Sequence, residues 1–229
     1  MAIDVWIVRA GRSAARRLMC LSAVVAVGAP IIVCAAGLAS ALTSCPGAEV
    51  VFARGTDEPP GIGRVGQVFV DSLRTRLGDE QVVVYAVDYP ATRDFMKAVD
   101  GATDARARVE ATAASCPNTA VVLGGYSQGA AVIDLITGPE DGLFGFARPL
   151  PANVADHVAA VTVFGNPLNR FGRPLTAWSP VYGVKTVDLC NGADPVCSGG
   201  SDVSAHSLYV ESGLADQAAE FVGDRLQAT

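Results

Sequence analysis

The sequence predicts a three-layer α/β/α domain, in which helices cover both faces of a parallel β-sheet. Short apolar runs rich in β-branched residues alternate with segments whose apolar residues recur at helical spacing. This alternation is typical of parallel strands joined by crossover helices. The runs contain few polar residues, as expected for strands that are buried on both faces. No internal repeat, low-complexity block or second domain stands out.

Five runs are predicted to form the strands, and helical patterns lie between them. The strands are Glu49 to Ala53, Val82 to Val87, Ala120 to Gly124, Ala159 to Phe164 and Lys185 to Leu189. Helical spacing is present in Val65, Val68, Phe69, Leu73 and Leu77, in Ala105, Val109 and Ala113, and in Leu214, Ala218, Phe221, Val222 and Leu226. The apolar segment Ala130 to Ile136 predicts a further helix directly after the third strand.

The first 41 residues are predicted to be an export signal. A basic stretch ending at Arg17 is followed by an uncharged run from Leu18 to Cys45, with Ala39-Ser40-Ala41 as a small-x-small cleavage site. The domain would then occupy residues 42–229, in a protein that is secreted or associated with the cell envelope. One alternative is that the apolar run stays uncleaved and anchors the domain. Two others are a twin-arginine signal at Arg16-Arg17 and a lipoprotein acylated at Cys45.

Charge excludes one large class of partners. Residues 42–229 carry 13 Lys and Arg against 22 Asp and Glu. An acidic surface repels phosphate-rich polymers, so we expect no nucleic-acid partner.

Four cysteines remain after the export signal: Cys45, Cys116, Cys190 and Cys197. An even number in an exported chain predicts two disulfides, with three pairings open. Cys190 and Cys197 are close enough to close one short loop, and acylation of Cys45 would leave Cys116 unpaired. With two histidines and no Cys-x-x-Cys or His-x-x-x-His spacing, the sequence predicts no metal site.

Gly125-Tyr126-Ser127-Gln128-Gly129 matches Gly-x-Ser-x-Gly between the third strand and a helix. This context is typical of the sharp turn that lifts a nucleophilic serine above the sheet of α/β-hydrolases. A serine hydroxyl needs a base, and the base needs an orienting group. His206 lies in a polar loop after the fifth strand, whereas His157 precedes the fourth strand, at the wrong edge of the sheet.

The acid that orients the base is predicted to be Asp194. It lies in the Cys190 to Cys197 loop, which a disulfide would hold rigid. Asp202 is a rival and Asp188 a weaker one. The backbone N–H of Gln128 and the N–H and hydroxyl of Thr56 are predicted to form an oxyanion hole, although Thr56 is equally well explained as a turn or N-cap residue.

Taken together, these residues resemble the cutinases, specifically the bacterial cutinase-like esterases, from about Cys45 to the C-terminus. The similarity is carried by Val51-Phe52-Ala53-Arg54-Gly55-Thr56, Tyr85-Ala86-Val87-Asp88-Tyr89-Pro90, Gly125-Tyr126-Ser127-Gln128-Gly129 and Cys190-Asn191-Gly192-Ala193-Asp194-Pro195-Val196-Cys197. The resemblance implies a five-stranded parallel sheet without a lid domain and a triad of Ser127, Asp194 and His206. It also implies an oxyanion hole at Thr56 and Gln128, and disulfides Cys45 to Cys116 and Cys190 to Cys197.

The expected function is that of a secreted serine carboxylic-ester hydrolase that acts through an acyl-enzyme and needs no cofactor. We expect a monomer that takes an ester or lipid substrate and touches lipid surfaces transiently. The alternative from another class is a secreted binding or antigenic module with an inactive triad. Apolar residues in Gly142 to Pro151 and Phe171 to Val181 either wall an acyl groove or form small clusters under loops.

A competing motif, Gly61-Ile62-Gly63-Arg64-Val65-Gly66, imitates a dinucleotide-binding turn, with Asp88 placed beyond it. Asp57-Glu58-Pro59-Pro60 separates this motif from the preceding strand, which makes the turn neither tight nor favourable to a pyrophosphate. This interpretation is therefore rejected.

Overall fold

The computed structural model describes residues 45–78, 81–139, 146 and 148–228. The predicted export signal, its alternatives at residues 1–41, and Leu143 and Phe144 of the first apolar loop lie outside these residues.

The core of the domain is a five-stranded, fully parallel sheet with the strand order β2-β1-β3-β4-β5. The strands are β1 (Ala48–Ala53), β2 (Val82–Ala86), β3 (Ala120–Tyr126), β4 (Val158–Phe164) and β5 (Thr186–Leu189). The chain moves outward from β1 to β2 and then returns to place β3 on the other side of β1. Ligand crevices form outside the carboxyl ends of strands at such a reversal, here where Ala53 is in register with Gly125.

Six α-helices surround the sheet in the described part of the chain. They are α1 (Gly63–Leu77), α2 (Ala98–Ser115), α3 (Gln128–Thr137), α4 (Ala152–Ala155), α5 (Leu175–Trp178) and α6 (Leu214–Gln227). Short 3-10 helices cover Phe95–Lys97, Pro167–Phe171, Gly183–Lys185 and Val203–Ser207. None of the helices in these described segments is long and apolar enough to cross a bilayer.

The two faces of the sheet bury two separate apolar clusters. Phe52 packs with Phe69 of α1 and with residues of α6, while its neighbour Val51 packs on the other face with α2 and α3. Adjacent residues of a strand point to opposite faces, so an entirely apolar strand supplies both clusters. The predicted three-layer α/β/α architecture is confirmed.

Two disulfides are formed by the four cysteines, as their even number predicted. Cys45, just ahead of β1, bonds Cys116 at the end of α2, and Cys190 bonds Cys197 across the loop after β5. A sulfur that is held in a disulfide is not free to carry an acyl anchor, which argues against a lipoprotein modified at Cys45.

Candidate active site

Ser127 lies at the turn between β3 and α3, in a conformation that few non-glycine residues adopt. Its φ is +56° and its ψ is −115°, and its N–H donates to the carbonyl of Phe164 at 2.8 Å. Such outliers persist only where the surroundings enforce them, and they cluster at functional sites. A Cβ on Gly125 would lie 2.2 Å from the Gly129 carbonyl oxygen, and one on Gly129 would lie 2.0 Å from that of Ala53. Both glycines are therefore required for the turn to pack against β1.

His206 is carried by the 3-10 helix Val203–Ser207, and side chains from three directions hold its backbone. Asn191 donates its amide to the carbonyl of Ala205 at 2.8 Å. The hydroxyl of Tyr126 donates to the carbonyl of His206, and the guanidinium of Arg64 donates to that of Ser207. Three consecutive carbonyls are thus tied to the loop after β5, to β3 and to α1.

The structure brings Ser127, His206 and Asp194 together at the carboxyl edge of the sheet. His206 Nε2 lies 2.9 Å from Ser127 Oγ, and His206 Nδ1 lies 2.7 Å from Asp194 Oδ2. The Asp194 side chain is fully buried, whereas the imidazole is 20% exposed. The hydrogen-bonded chain therefore runs from a buried carboxylate to a hydroxyl at the surface of a cleft.

The loop closed by Cys190–Cys197 presents the Asp194 carboxylate. The Val196 N–H donates to Asp194 Oδ1 at 2.8 Å, and the Ser198 N–H and hydroxyl both donate to the Asp194 carbonyl, at 3.0 Å and 2.7 Å. These bonds fix both the backbone and one carboxylate oxygen, which leaves Oδ2 facing the imidazole.

The three rival residues lie elsewhere in the fold. His157 precedes β4, at the amino edge of the sheet. Asp202 caps the helix of His206, where hydrogen bonds from the Ser204 hydroxyl and N–H lower the pKa of its carboxyl. Asp188 turns away from His206 and accepts hydrogen bonds from Asn169, Asn166 and the Leu175 N–H.

Two tyrosines around the imidazole were not anticipated from the sequence. The ring of Tyr126 stacks on that of His206 with centroids 5.1 Å apart, and burial raises the pKa of Tyr126 to about 12, so its hydroxyl keeps the proton that it donates. Tyr209 is fully buried and donates its hydroxyl to Asp194 Oδ2 at 2.7 Å. The sequence feature that could have pointed to Tyr209 is its position three residues after His206.

Thr56 and Gln128 are in contact at the rim of the cleft. The Thr56 hydroxyl lies 3.3 Å from Gln128 Oε1, to which it donates, and Gln128 Nε2 donates to the Thr92 carbonyl at 3.0 Å. The hydroxyl proton of Thr56 is thereby engaged, which leaves its N–H for a ligand. Gln128 opens α3, and the first N–H groups of a helix have no partner within the helix.

Two charged side chains, the buried Arg54 and the partly exposed Glu58, hold the loop that carries Thr56. The guanidinium of Arg54 donates to the carbonyls of Glu58 and Tyr89, at 2.9 Å and 2.5 Å. The carboxylate of Glu58 accepts the N–H groups of Gly55 at 2.6 Å and Arg64 at 2.8 Å. The glycine-rich turn 61–66 therefore already contains an internal carboxylate where a dinucleotide phosphate would have to bind, which agrees with the rejection of that motif.

A cleft of about 730 Å³ opens above Ser127 and His206. Its walls are mainly apolar and are formed by Phe95, Ala98, Ala131, Pro167, Leu168 and Phe171. Of the apolar loop residues considered as a wall, Leu150 and Val181 line a different cavity, and Leu175 is buried in the core. Among the described residues of the two segments, Phe171, at the edge of the second, is the one that lines the cleft.

Beneath the cleft, a buried amide bridges two acids. Asn166 Nδ2 lies 3.2 Å from Asp134 Oδ1 and 3.3 Å from Asp188 Oδ2, and Asn166 Oδ1 accepts the N–H of Leu168, a wall residue, at 2.9 Å. Burial, and then the nearby charge of Asp188, raise the pKa of Asp134 well above its usual range. Because the folded protein holds this proton more tightly than the unfolded chain does, Asp134 costs stability as pH rises above about 4 toward its folded pKa.

Asp134→Asn is therefore expected to raise the free energy of unfolding at pH 8 by about 1–2 kcal/mol, with a smaller gain at pH 5. The amide keeps the shape of the carboxyl group but cannot ionise. Urea unfolding at both pH values measures the difference. Asp224→Asn, an exposed change on α6, controls for the lost charge. A gain that is equal at the two pH values, or a loss at pH 8, would contradict the expectation.

A parallel five-stranded sheet with a serine at the strand-to-helix turn and a histidine and an aspartate after the last strand defines an α/β-hydrolase. The chain belongs to the cutinase family, whose model matches residues 44–226. Phospholipase Culp4 of Mycobacterium tuberculosis is 50% identical over 219 residues, covering 95% of each chain. Carboxylesterase Culp1 of the same organism is 47% identical over 199 residues, covering 84% of this chain and 87% of the relative. The protein is a carboxylic ester hydrolase.

Solved structures of a cutinase and an acetyl xylan esterase are similar to this chain. A Trichoderma reesei cutinase in complex with a C11Y4 phosphonate inhibitor matches with a TM-score of 0.65 and 35% identity, covering 80% of this chain and 77% of that chain. An iodinated complex of acetyl xylan esterase matches with a TM-score of 0.70 and 26% identity, covering 80% of this chain and all of that chain.

Proposed function

We propose that this protein is a secreted serine esterase of the cutinase family in which Ser127 is the nucleophile, His206 the general base and Asp194 the group that orients the base. The observation that carries the proposal is the continuous pair of hydrogen bonds from Ser127 Oγ through His206 to Asp194, at 2.9 Å and 2.7 Å. The two disulfides support export to an oxidising compartment.

In the proposed reaction, His206 Nε2 takes the proton of Ser127 as Oγ attacks the ester carbonyl. The resulting imidazolium is stabilised by the Asp194 carboxylate, and it then gives its proton to the departing alcohol. The acyl group is left on Ser127. A water molecule, deprotonated by the same imidazole, attacks the acyl-enzyme and releases the acid.

The backbone N–H groups of Gln128 and Thr56 are proposed to hold the oxyanion of the tetrahedral intermediate. Donors that are fixed before the reaction cost no reorganisation when the charge develops. The contact between Thr56 and Gln128, together with the bonds of Arg54 and Glu58 to the loop of Thr56, supports this assignment because it keeps the two residues in a fixed relation.

A fluorophosphonate probe tests the assignment directly. We expect one adduct per folded protein, with mass spectrometry locating the phosphonyl group on Ser127, and no adduct after thermal unfolding. The probe requires a serine that is activated by a neighbouring base. A folded protein that stays unlabelled and does not hydrolyse p-nitrophenyl butyrate would favour the inactive binding module.

Export is tested on the chain that includes residues 1–41. We expect the protein in the medium of an expressing bacterial host to begin near Leu42 and to have an intact mass with two disulfides and no lipid. Retention of residues 1–41 in a membrane fraction would instead show the uncleaved anchor.

The substrate is proposed to be an ester with an apolar acyl chain, taken by a monomer that touches a lipid surface transiently. The apolar cleft walls support the acyl chain. Exposed apolar side chains at the same edge support the lipid contact: Phe95 is 66%, Met96 55%, Phe171 73% and Val203 74% exposed. A cluster of this kind around a cleft marks an interaction surface more often than a scattered set does.

Replacing Met96 and Val203 together with serine is expected to slow hydrolysis of esters presented in phosphatidylcholine vesicles about tenfold, because each side chain loses apolar contact with the bilayer. Hydrolysis of dissolved p-nitrophenyl butyrate should stay within twofold, since neither residue lines the cleft. Val184→Ser is the matched control, because Val184 is 78% exposed ahead of β5, at the amino edge. If the double substitution and Val184→Ser slowed vesicle hydrolysis equally, a lipid contact at the cleft would be contradicted.

A further inference from the structure

The carboxylate of Asp194 has a third hydrogen-bond partner besides His206 and the Val196 N–H. The hydroxyl of Tyr209 donates to Asp194 Oδ2 at 2.7 Å, the same oxygen that faces His206 Nδ1. Tyr209 comes from the segment between the helix of His206 and α6, so the contact is independent of the loop that carries Asp194.

The direction of this hydrogen bond follows from the surroundings of the phenol. The Asn191 N–H donates to the Tyr209 oxygen at 3.1 Å, so the oxygen already accepts one hydrogen bond. Burial, and then the hydrogen bond to Asp194, raise the pKa of Tyr209 far above that of a free phenol. Tyr209 therefore keeps its proton and donates it to the carboxylate. The sulfur of Cys197, 3.3 Å from the same hydroxyl, is in a disulfide and has no proton to offer.

The ring of Tyr209 is held as firmly as its hydroxyl. Its edge-to-face contacts join it to Tyr126, Phe164 and His206, with centroids between 5.6 and 6.2 Å apart. The residue is fully buried and makes no contact with the cleft. Its hydroxyl therefore donates to the carboxylate and does not reach the substrate.

We propose that Tyr209 is a positioning residue, which holds Asp194 Oδ2 on the axis of the His206 Nδ1–H bond and limits the negative charge that this oxygen presents to the imidazole. The inference rests on the proposed function of the triad. The torsion about Cβ–Cγ of an aspartate is soft, and the Val196 N–H restrains Oδ1 only. The Tyr209 hydroxyl supplies a second restraint, on Oδ2. The other hydrogen-bond partner of Oδ2 is the His206 imidazole, whose charge changes in each reaction cycle.

Removing the hydroxyl has two separable consequences. The carboxylate gains rotational freedom, which lowers kcat because the imidazole is less often in the correct orientation. Oδ2 also loses a donor and becomes a stronger acceptor, so it stabilises the imidazolium before the reaction begins. The acid limb of the pH dependence of kcat/KM, which reports loss of activity on protonation of the base, therefore moves to higher pH.

Other titratable groups face this pair and are unchanged by the substitution. Tyr126 stacks on the imidazole from β3, and Glu58 and Arg64 interact with Tyr126 from the loop before α1 and from its first turn. Asp57 and Arg93 line the cleft together with His206, and Asp202 caps the helix of His206. A shift of the acid limb on loss of the Tyr209 hydroxyl is therefore attributable to that hydroxyl.

The test is Tyr209→Phe in the full domain, with kcat, KM and the pH profile measured on p-nitrophenyl butyrate. We expect kcat to fall about 10- to 100-fold, the equivalent of one hydrogen bond to a charged group, with KM within twofold. The midpoint of the acid limb of the kcat/KM profile should move to higher pH by about half to one pH unit. Tyr85→Phe is the matched control. The Tyr85 hydroxyl also donates to a carboxylate, that of Asp104 at 3.0 Å, and neither residue lines the cleft. Its kinetics should equal those of the wild type.

A second variant separates positioning from folding. Site-specific 3-fluorotyrosine at position 209 keeps the ring and the hydroxyl but makes the phenol more acidic, so it should retain kcat within about threefold and lower the acid limb. In an Asp194→Asn background, Tyr209→Phe should add no further loss of kcat, because the two residues act through one interaction. Near-UV circular dichroism checks that each variant is folded.

Wild-type kcat and an unmoved acid limb in folded Tyr209→Phe would overturn the proposal. If that variant does not fold, an unmoved limb with fluorotyrosine would overturn it. If it does fold, an additive loss of kcat in the double variant would overturn it as well. If the triad assignment itself were wrong, Ser127→Ala would keep its activity. This result distinguishes failure of the triad assignment from failure of the proposal for Tyr209.

Discussion

Ser127→Ala is expected to lower kcat for p-nitrophenyl butyrate about 10⁵- to 10⁶-fold, to the level left by substrate binding and the oxyanion donors alone. Without the hydroxyl no acyl-enzyme can form, and His206 has no nucleophile to deprotonate. Alanine should accept the φ of +56° as serine does, because both carry a Cβ. The loss is therefore one of chemistry and not of folding.

Steady-state kinetics, thermal unfolding and fluorophosphonate labelling measure this loss on the same preparation. Ser115→Ala, at the end of α2 and exposed, is the control and should match the wild type in all three. Residual hydrolysis above about one part in a thousand, once contaminating enzyme is excluded, would show that another nucleophile carries the reaction.

Asp194→Asn is expected to lower kcat at pH 7 about 10³- to 10⁴-fold. The Val196 N–H donates to Oδ1 at 2.8 Å and the Tyr209 hydroxyl donates to Oδ2 at 2.7 Å, whereas an asparagine side chain has one oxygen and no charge. An amide NH₂ facing His206 Nδ1 favours the tautomer with its proton on Nε2. That nitrogen then cannot accept the proton of Ser127. An amide turned the other way, with its oxygen toward Tyr209, still lacks the negative charge that stabilises the imidazolium.

Two matched substitutions test whether the loss belongs to this acid. Asp202→Asn changes an exposed cap on the helix of His206 and should keep kcat within about twofold. Asp188→Asn changes a partly buried acid that bonds Asn166 and Asn169, and it should alter stability more than kcat. A large loss of kcat with Asp202→Asn and a small one with Asp194→Asn would reassign the orienting acid.

Much of the fold could be predicted because its signals are local. The five apolar runs became the five strands with ends shifted by two residues or fewer, and the helical patterns became α1, α2, α3 and α6. A strand that is buried on both faces must be apolar throughout, and a helix that packs one face must repeat its apolar residues at helical spacing. These constraints act within one element and are visible in one stretch of chain.

The cleft walls could not be predicted in the same way. Both apolar loop segments were plausible walls, yet the wall residues Phe95 and Leu168 lie outside both segments. Phe171, at the edge of the second segment, lines the cleft, whereas Leu175 of the same segment is buried in the core. Apolar residues in irregular segments carry no periodicity to show which way they point. Only the path of the loop between two packed elements decides that direction.

The amino-acid sequence by itself determined the elements, the family and the strained serine turn, since Gly125 and Gly129 flank Ser127 in one short motif. The tertiary structure decided which of three acids meets His206, and it placed Tyr209 on that acid. Asp188, Asp194 and Asp202 lie within fifteen residues, and each has a carboxylate of similar reach. Asp194 differs from the other two in the direction of its carboxylate. The backbone of the Cys190–Cys197 loop and the hydrogen bonds from Val196 and Ser198 set that direction. Those bonds join groups whose relative orientation exists only once the chain has folded.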